Sequence, residues 1–170
     1  MAERIESMKT LQLNVVPFKG TELPDVFQEE MIRINEQTFN WSKKQTTSDF
    51  EQDHSEYYLL LHQMTLLGFV SLHTVLDEAS INQVYIDSEF RQQGLGSELV
   101  SFVLDQLAAR GFKHLFLEVR SKNTAARQLY NKLNFQELTI RPNYYQNPAD
   151  DAVIMQRILT KGGDQSWEMF

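Results

Sequence analysis

A mixed α/β sheet, mostly antiparallel with one parallel strand pair at its centre, is the fold class this sequence predicts. Two stretches carry the prediction. Residues 57–62, 66–76 and 79–86 are β-rich runs joined by short turns, the pattern of an antiparallel meander. The segment 81–120 then reads strand, helix, strand, a unit that closes by a right-handed crossover onto a parallel neighbour. Length agrees, since 170 residues make one domain with a single sizeable core.

Residues 11–17 form a short apolar strand ending at Pro17, and 22–37 place Leu23, Val26, Phe27, Met31 and Ile34 on one helical stripe. The polar segment from Asn40 to His54 holds a second short helix, with Thr46, Thr47 or Ser48 available as its N-cap. Gln63 and Met64 turn between the first two meander strands, and Asp77-Glu78 precedes the third. Residues 94–110 give the strongest helix signal: Leu95, Leu99, Phe102, Val103 and Leu107 recur three and four apart, and Arg110-Gly111 closes the run. Residues 113–120, with HLFLEV at their centre, form a strand, and Asn123 or Thr124 caps a helix to about Lys132. Strands at 135–140 and 152–158 complete the order, with Tyr144 and Tyr145 in a loop after Pro142. No repeat or Pro/Gly/Ser-rich linker interrupts the chain, so 1–160 reads as one domain. Residues 1–9 and 161–170 read as tails, with Trp167 and Phe170 available to dock on the body.

Composition narrows the function. The chain has no cysteine, which excludes disulfides, thiolate metal sites and a cysteine nucleophile, and fits a reducing compartment. Sixteen basic against twenty-three acidic residues give a net charge of -7, the wrong sign for holding nucleic acid by its phosphates. The N-terminal residues scatter their charges and contain no apolar core of a signal peptide, and no run approaches the ~20 apolar residues of a membrane span. A cytoplasmic protein is expected. His54, His62, His73 and His114 lack metal-ligand spacing, so no metal is expected, and the absence of GxSxG removes a hydrolase elbow.

The most informative stretch is the strand ending near Ile86, followed by Arg91, Gln92, Gln93, Gly94, Leu95, Gly96 and Ser97 at the opening of the strong helix. Two glycines allow close backbone approach, and the helix start leaves N–H groups unpaired at the positive end of its dipole, an arrangement that cradles an anion. The spacing matches neither GxxxxGK[ST] nor GxGxxG, whose third glycine is replaced by Leu99. A tight strand-to-helix turn with two convenient glycines remains the plain alternative.

Arg91-Gln92-Gln93-Gly94-Leu95-Gly96 resembles the R/Q-x-x-G-x-G/A signature of the GNAT superfamily of N-acetyltransferases, and LEVRSKNTAARQLYNKLNF (117–135) is similar to the second half of that family's pattern. LEVR, with RPNYY at 141–145 and DDAVIM at 150–155, resembles the RimI branch, which acetylates the N-terminal amine of a ribosomal protein. Asn134 stands where the family has glycine, and Phe39-Asn40-Trp41-Ser42 matches the branch's Pro-Trp-Ser segment without its proline. Asparagine tolerates the left-handed conformation, so the turn at 134 is expected to survive. The resemblance implies a GNAT-type sheet with helices on both faces. It also implies that acetyl-CoA is bound by Val84, Tyr85 and Ile86, by Arg91, Gln92, Gln93, Gly94, Leu95, Gly96 and Ser97, and by Asn123, Ala126 and Tyr130.

Strand alternation puts Leu115, Leu117 and Val119 on one face and Phe116, Glu118 and Arg120 on the other. A carboxylate among apolar neighbours either lines a wet crevice or pairs with Arg120. The resemblance makes Glu118 the general base, acting through water. Tyr130, by position a core aromatic, becomes by resemblance the proton donor to the departing sulfur. A phenol of pKa ~10 is a weaker acid than a thiol near ~8.5, so Tyr130 is expected to act as a hydrogen-bond donor, full transfer being uphill by about 2 kcal/mol. Asn123 is a helix N-cap, a contact to the pantetheine arm, or both. Trp41, Tyr144 and Tyr145 are the expected substrate wall. The acceptor is a protein N-terminus or, as the second reading, a small amine such as a polyamine, amino acid or aminoglycoside. A non-catalytic acyl-CoA-binding module is the third, disfavoured by the presence of both Glu118 and Tyr130.

Overall fold

The computed structural model describes residues 12–159; the expected tails at 1–9 and 161–170, with Trp167 and Phe170, lie outside the described residues. Seven strands form one sheet: β1 (Leu13–Lys19), β2 (Ser55–His62), β3 (Thr65–Val75), β4 (Glu78–Ile86), β5 (His114–Arg120), β6 (Gln136–Tyr145) and β7 (Asp150–Ile158). Their order is β1-β2-β3-β4-β5-β7-β6, antiparallel throughout except for the parallel pair β4–β5. The meander and the crossover expected from the sequence are both present.

Four helices cover the sheet: α1 (Asp25–Ile34), continued by a π-helical turn over Asn35–Phe39, then α2 (Lys43–Phe50), α3 (Leu95–Ala109) and α4 (Thr124–Lys132). On one face Leu99, Val103 and Leu107 of α3 and Tyr130 of α4 pack on Leu115, Leu117, Val119, Val153 and Met155. On the other, Phe27, Met31 and Ile34 of α1 and Phe50 of α2 pack on Tyr57, Leu59, Leu61 and Phe69. Helices on both faces explain why β2 reads as a continuous apolar run: Tyr58 and Leu60 enter the first core, Tyr57, Leu59 and Leu61 the second. Among the described residues no helix is long and apolar enough to cross a membrane.

Three local expectations need correction. The N-cap of α2 is Ser42, not Thr46, Thr47 or Ser48: its hydroxyl accepts from the Gln45 N–H at 3.1 Å while the Gln45 side chain accepts from the Ser42 N–H at 2.8 Å, a capping box. Thr46 is instead buried one turn in, accepting from the Asn35 amide at 3.0 Å. Val26 is 58% exposed, because the buried stripe of α1 runs through 27, 31 and 34. The aromatics at 144 and 145 lie within β6 rather than in a loop; Pro142 is tolerated because β6 is the sheet edge and its pairing is irregular between Arg141 and Tyr145. Asn134 adopts φ 62°, as expected of the residue replacing glycine.

Beneath α2, buried Asp49 accepts from the Tyr57 hydroxyl and lies 2.6 Å from His73 Nε2. Burial pushes its carboxyl up, but the hydrogen bonds from His73 and Tyr57 outweigh that and leave it below its ordinary value. A carboxyl lowered in the folded state adds stability above its unfolded pKa, and that stability is lost as pH falls through the folded value. The melting temperature is therefore expected to drop on acidification below about pH 4. Asp49→Asn should melt lower at neutral pH with a flatter acid dependence, which thermal melts across pH will read.

Candidate functional site

The parallel pairing of β4 and β5 runs from Glu78–His114 to Ile81–Leu117 and stops there, although β4 continues to Ile86 and β5 to Arg120. The break coincides with a bulge: Leu72 pairs with Ile81 and Ser71 with Gln83, leaving Asn82 as an extra residue in β4. A bulge bends and twists its strand. It also exchanges the faces, so that Ala79 and Ile81 meet the α3 core before it and Val84 and Ile86 after it. Two cavities flank the resulting gap, one on each face of the sheet.

On the α3–α4 face, Val84, Ile86, Arg91, Gln92, Gly94, Leu95, Gly96, Ser97, Ala126 and Tyr130 border a groove of ≈ 670 Å³. Gly94 caps α3 at φ 79° and offers no side-chain acceptor. The first intrahelical bond runs from the Glu98 N–H to the Gly94 carbonyl at 3.1 Å, so the N–H groups of Leu95, Gly96 and Ser97 are left for a ligand. A Cβ on Gly96 would sit 3.3 Å from Leu129 Cδ1 and 3.7 Å from Ile86 Cγ1, so glycine keeps the groove open between α3 and α4. The Arg91 side chain donates to the Ile86 carbonyl at 2.8 Å and pins the turn to the end of β4.

Three candidates fall outside the groove wall. Tyr85 turns to the opposite face, its ring 5.6 Å from that of Phe69, while Gln93 remains exposed in the turn. The Asn123 side chain accepts from the Ala126 N–H at 3.2 Å, which is the N-cap reading. Sequence reasoning passed over Ala125, Gln128, Leu129 and Lys132, which present one face of α4 to the groove; their helical spacing around Tyr130 was the available signal.

Tyr130 is 8% exposed, its ring edge-on to Phe135. Burial alone pushes its phenol up to about 12. The hydroxyl therefore keeps its proton throughout the neutral range.

On the α1–α2 face, a cavity of ≈ 650 Å³ brings together Trp41, Glu118, Tyr144 and Tyr145, residues far apart in sequence. Glu118 faces it as the strand alternation requires. Its ion-pair partner is Arg141, at 3.3 Å, rather than Arg120. Arg120 instead donates to the Pro148 carbonyl at 2.8 Å and lies 4.3 Å from the centre of the Tyr145 ring. β7 separates the two partner strands: Ile154 lies opposite Glu118 and Ala152 opposite Arg141, which puts both charges on one face. The Tyr144 phenol is pushed up, first by its hydrogen bond to Glu118 and then by the carboxylate charge. Among the described residues, Glu118 and Arg141 are the only charged ones bordering this cavity. Ile81 and Leu117, the last β4–β5 pair, border it too, so the strand gap lies between the two cavities.

The model of the acetyltransferase (GNAT) family matches residues 22–135. The ribosomal protein bS18-alanine N-acetyltransferase of Escherichia coli (strain K12) is 37% identical over 140 residues, covering 79% of this chain and 90% of its own. A Bacillus subtilis (strain 168) relative, named as a putative enzyme of the same kind, is 30% identical over 138 residues, covering 81% and 91%. The crystal structure of the ribosomal-protein-S18-alanine N-acetyltransferase from Escherichia coli superposes with a TM-score of 0.76 at 31% identity, covering 89% of this chain and 98% of that one. The fold is shared by Arabidopsis thaliana NAA60 in complex with acetyl-CoA, at a TM-score of 0.75 and 14% identity over 86% of this chain and 98% of that one. The uncapped helix start beside a two-glycine turn, the parted strands and the two facing cavities thus occur in a chain that belongs to the GNAT family of acetyltransferases.

Proposed function

We propose that this enzyme acetylates the N-terminal α-amine of a protein, of the ribosomal-protein-alanine type, drawing the acetyl group from acetyl-CoA in the groove between α3 and α4. The observation that carries the reading is the pair of cavities flanking the β4–β5 gap, with a neutral phenol in one and, among the described residues, a single carboxylate in the other. The likeness to the Escherichia coli enzyme supports it.

Acetyl-CoA supplies an acetyl thioester and a thiol leaving group. The free N–H groups of Leu95, Gly96 and Ser97 suit its pyrophosphate, and the space kept by the missing Cβ of Gly96 fits a ligand lying close to the backbone. Tyr130 holds a proton for the departing sulfur. Glu118 takes the proton of the acceptor amine through water, while Trp41, Tyr144 and Tyr145 wall the entering chain.

Two physical arguments favour an α-amine. At pH 7 an α-amine of pKa about 7.7–8.0 is neutral in roughly a tenth of molecules, a lysine amine near 10.4 in fewer than about one in a thousand. One carboxylate suits the easier deprotonation. A site for polyamines calls for several uncompensated carboxylates, whereas the one carboxylate bordering this cavity among the described residues is already paired with Arg141. The net charge of -7 attracts a basic peptide and makes the rate fall as salt rises.

The test measures thiol release from acetyl-CoA with Ala-initiated basic peptides, the same peptides with blocked N-termini, and spermidine. Free-amine peptides should react fastest, and less so at high salt. Faster reaction of blocked peptides or spermidine contradicts the reading.

A further inference from the structure

Among the described residues Arg141 is the one cation bordering the proposed acceptor cavity, and the proposed acceptor is itself a cation. Its hold on Glu118 is slight: a single contact at 3.3 Å, with Arg141 56% and Glu118 33% exposed. Other arginines of the fold are tied down more firmly. Arg110 grips both oxygens of Glu56, at 2.7 and 3.2 Å, Arg127 bonds Ser121 and Glu137, and Arg120 bonds the carbonyls of Gln146 and Pro148. Arg141 also meets Tyr144, through a hydrogen bond to its hydroxyl and with the ring centre 5.6 Å from the guanidinium carbon. Its five N–H donors are thus only partly engaged, by Glu118 and Tyr144.

We propose that Arg141 determines acceptor specificity: when the acceptor ammonium takes its place on Glu118, the guanidinium donates to the carbonyl oxygen of the acceptor's first residue. This deepens the N-terminal reading and rests on it. In an N-terminal residue, the amine and that oxygen are separated only by the α-carbon and the carbonyl carbon. Acceptor and donor are correspondingly adjacent here, Glu118 Oε1 lying 3.3 Å from Arg141 Nη1. The exchange leaves no charge unpaired, because Glu118 trades one cation for another and Arg141 trades a carboxylate for a carbonyl dipole. Tyr144 holds the guanidinium at the cavity through the exchange. An amine without a neighbouring carbonyl displaces Arg141 and offers it nothing, so it meets an unrelieved positive charge.

The experiment compares kcat/KM for an Ala-initiated peptide and for its analogue in which a neutral trans-alkene replaces the first peptide bond and so removes the carbonyl oxygen without adding a charge, in the unsubstituted enzyme, Arg141→Gln and Arg141→Lys. Melting temperatures establish that each protein is folded, and the exposed site makes folding insensitive to either change. The unsubstituted enzyme should prefer the carbonyl peptide by ~10–100-fold, the range of a charge-assisted hydrogen bond. Arg141→Gln should bring the ratio to about 1 and Arg141→Lys should keep part of it. A ratio that Arg141→Gln leaves unchanged overturns the proposal, as does an equal slowing of both substrates, which would mean that Arg141 only positions Glu118. Equal acceleration of both overturns it as well, since Arg141 would then merely compete with the acceptor. No turnover of the peptide by the unsubstituted enzyme brings down the N-terminal reading itself, a failure visible before any substitution is made.

Discussion

Tyr130→Phe is expected to lower turnover by ~10²–10⁴-fold while acetyl-CoA affinity stays nearly unchanged. The substitution keeps the ring that packs on Phe135 and deletes the hydroxyl alone. With the phenol pushed up to about 12, complete transfer of its proton to a thiolate of pKa ~8.5 would be uphill by roughly 5 kcal/mol. In the proposed reaction Tyr130 is therefore a hydrogen-bond donor that lowers the energy of the developing thiolate, with protonation following. The activity profile should show no ionisation of this group between pH 6 and 9. Pre-steady-state kinetics with calorimetry of acetyl-CoA binding separate the roles: loss of thermal stability with turnover per folded molecule preserved would make Tyr130 a core aromatic only.

Glu118→Gln should cost a comparable ~10²–10⁴-fold at neutral pH, because it removes the one carboxylate that borders the proposed acceptor cavity among the described residues. The deficit should shrink as pH rises past about 8, where an α-amine becomes neutral without help. A purely structural carboxylate would give a deficit that does not change with pH. Rates of the two proteins from pH 6.5 to 9.5, on one peptide at saturating acetyl-CoA, decide between them.

Much of this site was legible in the sequence because its elements obey local rules. The period of Leu95, Leu99, Val103 and Leu107 announces α3, and the glycines at 94 and 96 announce its uncapped start. Alternation along β5 places Glu118 on the face away from Leu117 and Val119. What local rules do not carry is pairing between distant strands. Arg120 is near Glu118 in sequence, but Arg141 reaches it across β7, and only the register of β5, β7 and β6 reveals that. The extension of β6 through Pro142 was hidden for a related reason, since proline argues against a strand unless the strand is known to lie at an edge. Ser42 is overlooked beside Thr46, Thr47 and Ser48 because several hydroxyls compete over a few residues, although Gln45 three positions on marks the box. The family resemblance assigns Tyr85 to the groove along with Val84 and Ile86, yet strand alternation sends it to the other face, beside Phe69.

The account's central claim is that the acceptor cavity presents an α-amine to the groove. The most direct measurement is tandem mass spectrometry of the product formed from one basic, Ala-initiated peptide that also contains an internal lysine, incubated with acetyl-CoA and the enzyme. The account predicts a single added acetyl group on the alanine nitrogen. Acetylation of the lysine in preference to the alanine would contradict it.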